Sequence, residues 1–305
     1  YLLFCKEIIK DSQKYVPEFL ENIIEKILNC IDYIKTPNDQ MPLFNGSTSL
    51  GLGQIQKYLN DFKSDNKNSK IGGLFRIKHK KSFLLIDTGR PPQKKFSKSY
   101  QSGPLSFEYF LDGMKIITNS GFGNHISKKA GLLSRLTACQ STLTINETSI
   151  TKFEKNEMIN KVFGASIKNS FKSFDFSSKN ESGLIGCSAS NNGYEKKFGC
   201  THKREIYMDK DNNCLKGIDH IFKTKDGYPI RYAFRFHINP ELSAVKTMSG
   251  NSALIQISKN KSLLFRVNDE HLEVEKSIFF GEKKIIDSYC ITISGNLVNK
   301  NKIFN

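Results

Sequence analysis

The chain has 305 residues, 38% of them hydrophobic, and its 46 Lys and Arg against 30 Asp and Glu give a formal net charge of +16. That length and apolar content support a large core and exclude a disordered chain. No apolar run approaches the ~18 uncharged residues of a membrane-spanning helix. A surface this basic favours polyanions: nucleic acid, an acidic glycan or anionic lipid. A Lys- and Asn-rich composition is the plainer account, because the lysines are scattered rather than gathered in one arm.

The first residue is Tyr1, and no basic stretch with an apolar core and cleavage site follows it. The chain therefore reads as a fragment whose compartment is not written at its start. Val16, Phe19, Leu20, Ile23, Ile24, Ile27, Leu28 and Ile31 recur at steps of three and four, which predicts a helix with one apolar stripe. Pro17 suits its first turn, and Pro37-Asn38 stops it. An irregular connection, Met41-Pro42-Leu43-Phe44-Asn45-Gly46, leads to a second helical stretch over 52–62, and polar residues 63–70 read as a linker.

From there the period changes to two. Strands are expected at 73–77, 82–87, 105–110, 115–118 and 141–145, and again near 203–208, 231–238, 253–257, 262–267, 272–279 and 285–293. Asp112-Gly113 and Asp226-Gly227 carry hairpin-turn chemistry. Polar residues 151–185 read as a long loop, and no internal repeat is present. Many short strands predict a mainly β fold, a large antiparallel sandwich preceded by a few helices. The expected division is 1–68 helical and 69–305 sandwich. The seven cysteines are widely spaced and form no CxxC pair, so most of them read as small core residues. No RNA-binding or helix-turn-helix motif accompanies the positive charge, which makes nucleic acid an unlikely partner.

Several segments, in order, resemble the heparinase II/III-like polysaccharide lyase family. They are Leu84-Leu85-Ile86-Asp87-Thr88-Gly89-Arg90, then Leu105-Ser106-Phe107-Glu108 with Ile116-Ile117-Thr118-Asn119-Ser120-Gly121, then Arg135 to Leu143. Gly193-Tyr194 with His202-Lys203-Arg204, and Phe234-Arg235-Phe236-His237 with Pro240, follow. The series covers about residues 40–295. It implies an α/α toroid ending in the helices at 13–62, followed by the sandwich, and an enzyme acting on an acidic polysaccharide in the periplasm or cell envelope.

Such lyases cleave beside a uronic acid by β-elimination: a base takes the C5 proton, the carboxylate is neutralised, and an acid protonates the leaving oxygen. The resemblance places the family's main catalytic Asn and Tyr upstream of Tyr1, outside this chain. Its cleft histidine falls on Ser99, beside Tyr100, and its zinc ligands fall on Gln101, Asn119 and Gln140. Amides are poor zinc ligands, so the expectation is a hydrogen-bonded amide cluster with no metal and no cofactor. His202 is the other catalytic candidate. Arg135, Arg204 and His237 are candidates for binding an acidic sugar: His202 and Arg204 share one face of a strand, and the Arg135 fork suits a carboxylate. For each histidine a structural role is the commoner one. A second reading is a module that only binds polyanions or supports the toroid.

Overall fold

A computed structural model describes residues 1–48, 51–53, 55–61, 70–156, 158–160, 164–169, 171–224, 229–298 and 301–305. The expected linker at 63–70, apart from Lys70, and the Asp226-Gly227 turn lie outside the described residues.

Three helices come first: α1 (Leu2–Asp11), α2 (Glu18–Ile34) and α3 (Ile55–Asp61). Of the predicted stripe of α2, Leu20, Ile24 and Leu28 are buried with Val16, Leu52 and Leu59, whereas Phe19, Ile23 and Ile27 stay exposed beside them. Pro17 caps the helix where its missing N–H costs nothing, and Glu18 and Glu21 suit the positive end of the dipole. The sequence pattern did not indicate α1, because its apolar residues spread around the helix and none is buried. Arg76 joins α2 to the strands: its backbone N–H donates to the Tyr33 hydroxyl at 2.9 Å, and its guanidinium donates to the Tyr33 carbonyl and lies 4.4 Å from that ring.

The remainder is mainly antiparallel sheet, with short helices at Lys128–Leu133 and Glu195–Phe198. The strands are β1 (Lys70–Ile71), β2 (Leu74–His79), β3 (Ser82–Asp87), β4 (Phe107–Leu111), β5 (Met114–Thr118), β6 (Leu143–Ile145), β7 (Ser173–Asn180), β8 (Leu184–Tyr194), β9 (Cys200–Asp209), β10 (Cys214–Lys223), β11 (Ile230–Ile238), β12 (Ser243–Lys246), β13 (Ser252–Ser258), β14 (Lys261–Arg266), β15 (Glu273–Phe280), β16 (Ile285–Leu297) and β17 (Asn301–Phe304). Among the described residues they form a nine-stranded sheet in the order β1-β2-β3-β4-β5-β11-β16-β15, with β6 beside β11, a five-stranded sheet β17-β10-β9-β8-β7, and a three-stranded sheet β12-β13-β14. The large sheet and the five-stranded sheet enclose one apolar core, with Ile77, Leu84, Ile86, Phe234 and Ile291 from the first and Cys187, Ile206, Met208 and Ile221 from the second.

Strand β3 is buried throughout because both sheet faces are covered. Leu84 and Ile86 join the main core, while Phe83 and Leu85 meet Phe110 and Phe44 of the irregular connection. Asp112 and Gly113, at φ +53° and +78°, make the two-residue turn between β4 and β5 as their chemistry requires.

The expected loop at 151–185 needs correction. It contains β7 and the start of β8. Strand β7 is an edge strand whose apolar alternation stops at Phe174 and Phe176, with polar residues after them, too short to mark a strand. In β8 the buried run 186–191 is Gly, Cys, Ser, Ala, Ser and Asn, too small and polar to stand out, and the large buried residue Tyr194 comes only at its end. Strand β10 was also missed, because Asp219 and Lys223 occupy buried positions on it.

Candidate functional site

The segment leading into β4 runs from Ser97 to Ser106 and meets the helical part at Asn45-Gly46. Gly46 has φ +94°, and a Cβ there would lie 2.5 Å from that of Ser99. Only glycine permits this approach. Ser99 is half-buried at that contact.

Three amides lock the junction. Gln101 accepts from the Gly46 N–H at 3.0 Å and donates through Nε2 to the carbonyls of Gly121 at 2.8 Å and Ser134 at 3.0 Å. Asn119 donates to the Leu43 carbonyl at 3.2 Å and accepts from the Ser141 N–H at 2.9 Å. Gln140 donates to the Ser134 carbonyl at 2.9 Å. All three side chains are buried. Gln101 and Gln140 meet at one carbonyl, and the other partners are further backbone groups rather than other amides. Such a set does not suit a zinc ion, since the NH2 groups point at carbonyl oxygens and the donors are neutral.

Arg135 fixes the same segment. Its guanidinium donates to the carbonyls of Tyr100 at 2.8 Å, Ser97 at 2.7 Å and Ala165 at 2.6 Å, and it lies 3.9 Å from the Phe153 ring. Burial lowers its pKa to about 10. The expected carboxylate partner is replaced by three carbonyls, because the segment curls its backbone around the buried fork. Tyr100 is buried beside Phe171, and burial pushes its phenol well above the usual value.

His202 and Arg204 do share one face of β9, and that face is the inward one. Asp219 stands opposite Arg204 on β10. Its carboxylate takes Nε and Nη2 of Arg204 at 2.8 and 2.9 Å, and Nε2 of His202 at 2.6 Å. Arg204 Nη1 crosses to the large sheet's side and donates to the carbonyls of Leu105 at 2.9 Å and Ser141 at 2.8 Å. Against burial, which works to raise it, the Arg204 charge and the His202 bond hold the Asp219 carboxyl down to about 2. Burial lowers the His202 pKa despite Asp219. Arg204 and His202 are 1% and 4% exposed, so their carboxylate is internal rather than a sugar's. Asp219 escaped the sequence reading, because only the register of β10 against β9 places it opposite Arg204.

His237 sits under the large sheet's other face. Its Nε2 is 2.9 Å from the Ala138 carbonyl, which makes it the protonated nitrogen, and Nδ1 lies 3.3 Å from the hydroxyls of Ser120 and Ser277. Burial lowers its pKa from 6.5 to about 4, outweighing the Ala138 carbonyl. A histidine held neutral this way stabilises the fold above pH 6.5, and that contribution is lost as the pH falls toward 4. Relative to His237→Gln, the native chain is expected to lose roughly 3 kcal/mol over that range. Comparing the two denaturation curves cancels Asp87, whose pKa burial raises to about 7 and whose effect has the opposite sign. Parallel curves would contradict this.

The candidates thus lie in separate places. Ser99, Gln101, Asn119 and Gln140 gather at the helix–sandwich junction, with Arg135 and Tyr100 directly behind. His202 and Arg204 lie between the sheets. Ser141 connects these regions: its carbonyl takes Arg204, its N–H serves Asn119, and its hydroxyl donates to the Thr118 carbonyl and accepts from the His237 N–H. Sequence reasoning also missed the buried pair Glu108–Lys115, 3.1 Å apart, in which Thr118 shares the Glu108 oxygen. Among the described residues, no group of three His, Cys, Asp or Glu could hold a metal ion.

Known structures share this architecture. Heparan sulfate lyase HepC from Pedobacter heparinus superposes with a TM-score of 0.75 at 15% identity, over 99% of this chain and 49% of that one. A heparinase III gives 0.74 at 13% identity, over 94% and 46%. A second heparinase III structure gives 0.68 at 14% identity, over 95% and 48%. The chain spans just under half the length of these proteins, and no curated protein matches it in sequence. A sequence profile described as "Heparinase II/III-like, C-terminal" matches residues 63–303. With most of its length matched, the chain belongs to the heparinase II/III-like C-terminal family.

Proposed function

We propose that this chain is the C-terminal region of a polysaccharide lyase that cleaves a uronate-containing acidic glycan by β-elimination. The observation that carries the reading is the family match over 63–303, together with a sandwich like those of the heparinases. Residues 1–68 are the last helices of an α/α toroid, and 69–305 are the sandwich that closes one side of its cleft. The helices support this: Phe19, Ile23 and Ile27 form the exposed half of the apolar stripe on α2, and Phe4 and Ile8 are exposed on α1. Such faces call for further helices. The same reading puts the protein in the periplasm or cell envelope.

In this scheme the toroid supplies the base that removes the C5 proton and the groups that neutralise the carboxylate. The C4–oxygen bond then breaks, and the leaving oxygen takes a proton. The sandwich contributes the junction at Ser99, held in place by Gln101 and Arg135. Tyr100 is buried behind that junction, and His202 is buried between the sheets against Asp219. Their burial, with the amides at the junction, also favours the second reading, in which the sandwich is a support or polyanion-binding module.

Incubation with uronate polymers tests both. The 305-residue chain should give no ultraviolet-absorbing unsaturated uronate, whereas the protein extended through its helical part should give it steadily. Product from the chain alone would overturn the placement of the base; none from the extended protein would leave the support role.

A further inference from the structure

A cleft of about 540 Å³ opens between the β1–β2 turn, the end of β3 and the start of β7, lined by Lys70, Gly73, Thr88, Arg90, Phe174 and Phe176 among others. Its walls are fixed by backbone. The N–H and hydroxyl of Thr88 both donate to the Gly73 carbonyl at 2.9 Å, and the Ser173 hydroxyl donates to the Gly89 carbonyl at 2.6 Å. A Cβ on Gly73 would lie 2.6 Å from the Gly89 Cα, so the two strand ends are in direct contact. The cleft is therefore formed before anything binds, which limits the ordering cost of binding.

Its charge is one-sided. Lys70 Nζ lies 4.2 Å over the Phe176 ring and 3.3 Å from the Thr88 carbonyl, and neither contact neutralises it. Arg90 is exposed and has no hydrogen bond or ion pair among the described residues. The nearby carboxyl, Asp87, is buried behind the wall and turned to the Gly89 N–H at 2.9 Å. Among the described residues, two cations thus line the space and no carboxylate does, while Asp87 acts on Lys70 from behind the wall. Beside them Phe174 is 37% exposed, where β7 bulges, while Phe176 packs edge-on to Phe75. A cation pair next to an open aromatic face fits a pyranose ring that carries an anionic group.

We propose that this cleft is a non-catalytic binding site for one acidic sugar of a glycan chain, with its carboxylate or sulfate on Arg90 and Lys70 and its C–H face on Phe174. The proposal rests on an acidic glycan being the partner, but not on where, or whether, bond cleavage occurs. It assigns the sandwich a second hold on the polymer besides the junction, which raises the effective concentration of the glycan there.

The test is calorimetric titration of the 305-residue chain with a tetrasaccharide of alternating glucuronate and N-acetylglucosamine, and with its sulfated form, at about 0.15 M salt. Arg90→Ala should weaken binding about tenfold through loss of a charge-assisted contact. Phe174→Ala should weaken it about fivefold through loss of the ring contact. Lys259→Ala, at an exposed turn on another sheet, should change it less than about twofold. Both cleft residues tested are exposed, and thermal melting confirms that the variants fold. The proposal fails if neither tetrasaccharide binds, if Lys259→Ala weakens binding as much as Arg90→Ala, or if maltotetraose binds equally well. It also fails if single-stranded oligothymidylate binds as tightly with the same dependence on Arg90, since bare phosphate would then suffice. A lyase-inactive extended protein would leave these results untouched, and a failed titration would leave the lyase assay untouched.

Discussion

Replacing Arg204 with alanine is expected to destabilise the sandwich by about 3–5 kcal/mol, the range for breaking a buried ion pair from one side. The loss has two sources. Asp219 would keep its charge in the core with only His202 beside it, and the carbonyls of Leu105 and Ser141 would lose their donor. Those two carbonyls belong to segments entering β4 and β6, so the contact between the sheets loosens together with the β9–β10 pair. The guanidinium also lies 5.4 and 5.6 Å from the rings of Phe107 and Phe236, which would face a cavity. A paired replacement separates charge from packing. Arg204→Met with Asp219→Leu removes both ions and should recover much of the loss. Urea denaturation of the single and double variants checks this. A single variant within about 1 kcal/mol of the native chain would mean that the ion pair does not hold the sheets.

Changing Gln101 to glutamate should cost about 2–4 kcal/mol at neutral pH although the two side chains have nearly the same shape. The amide donates to two carbonyls and accepts from one N–H. A carboxylate can keep the bond from Gly46 but would place negative oxygen against the carbonyls of Gly121 and Ser134. The folded state would then favour the protonated acid, so the Gln101→Glu carboxyl should titrate above the ordinary glutamate range. Its folded pKa being raised, the variant should regain stability on acidification and lose it as the pH rises through that value. Hydrogen exchange at Leu43 to Gly46 provides the local readout, because Gln101 holds that connection to the sandwich. Native-like protection and stability in Gln101→Glu at pH 8 would show that the amide bonds do not fasten the junction.

The strands that could be read from the sequence are those whose inward residues are large and apolar. Ser82–Asp87 was expected and found over the same residues, and the Asp112-Gly113 turn follows from two residues that tolerate positive φ. The amphipathic stripe of α2 was legible for the same reason, and so was the unsuitability of amides as zinc ligands, a property of the side chain itself. Strands β7, β8 and β10 were not legible, since most of their buried positions hold small or polar residues such as Ser, Cys, Gly, Asn, Asp and Lys. The partners of the polar residues were equally hidden. Arg204 meets Asp219 only through the register of β9 against β10, and Arg135, Gln101, Asn119 and Gln140 bond to backbone carbonyls and N–H groups. Every residue carries such groups, so sequence marks none of them as a partner. The sequence by itself determined where apolar surface must be buried and which chemistries the side chains permit. Only the tertiary structure decided which buried polar groups meet, because that depends on strand register and on how two sheets face each other across a shared core.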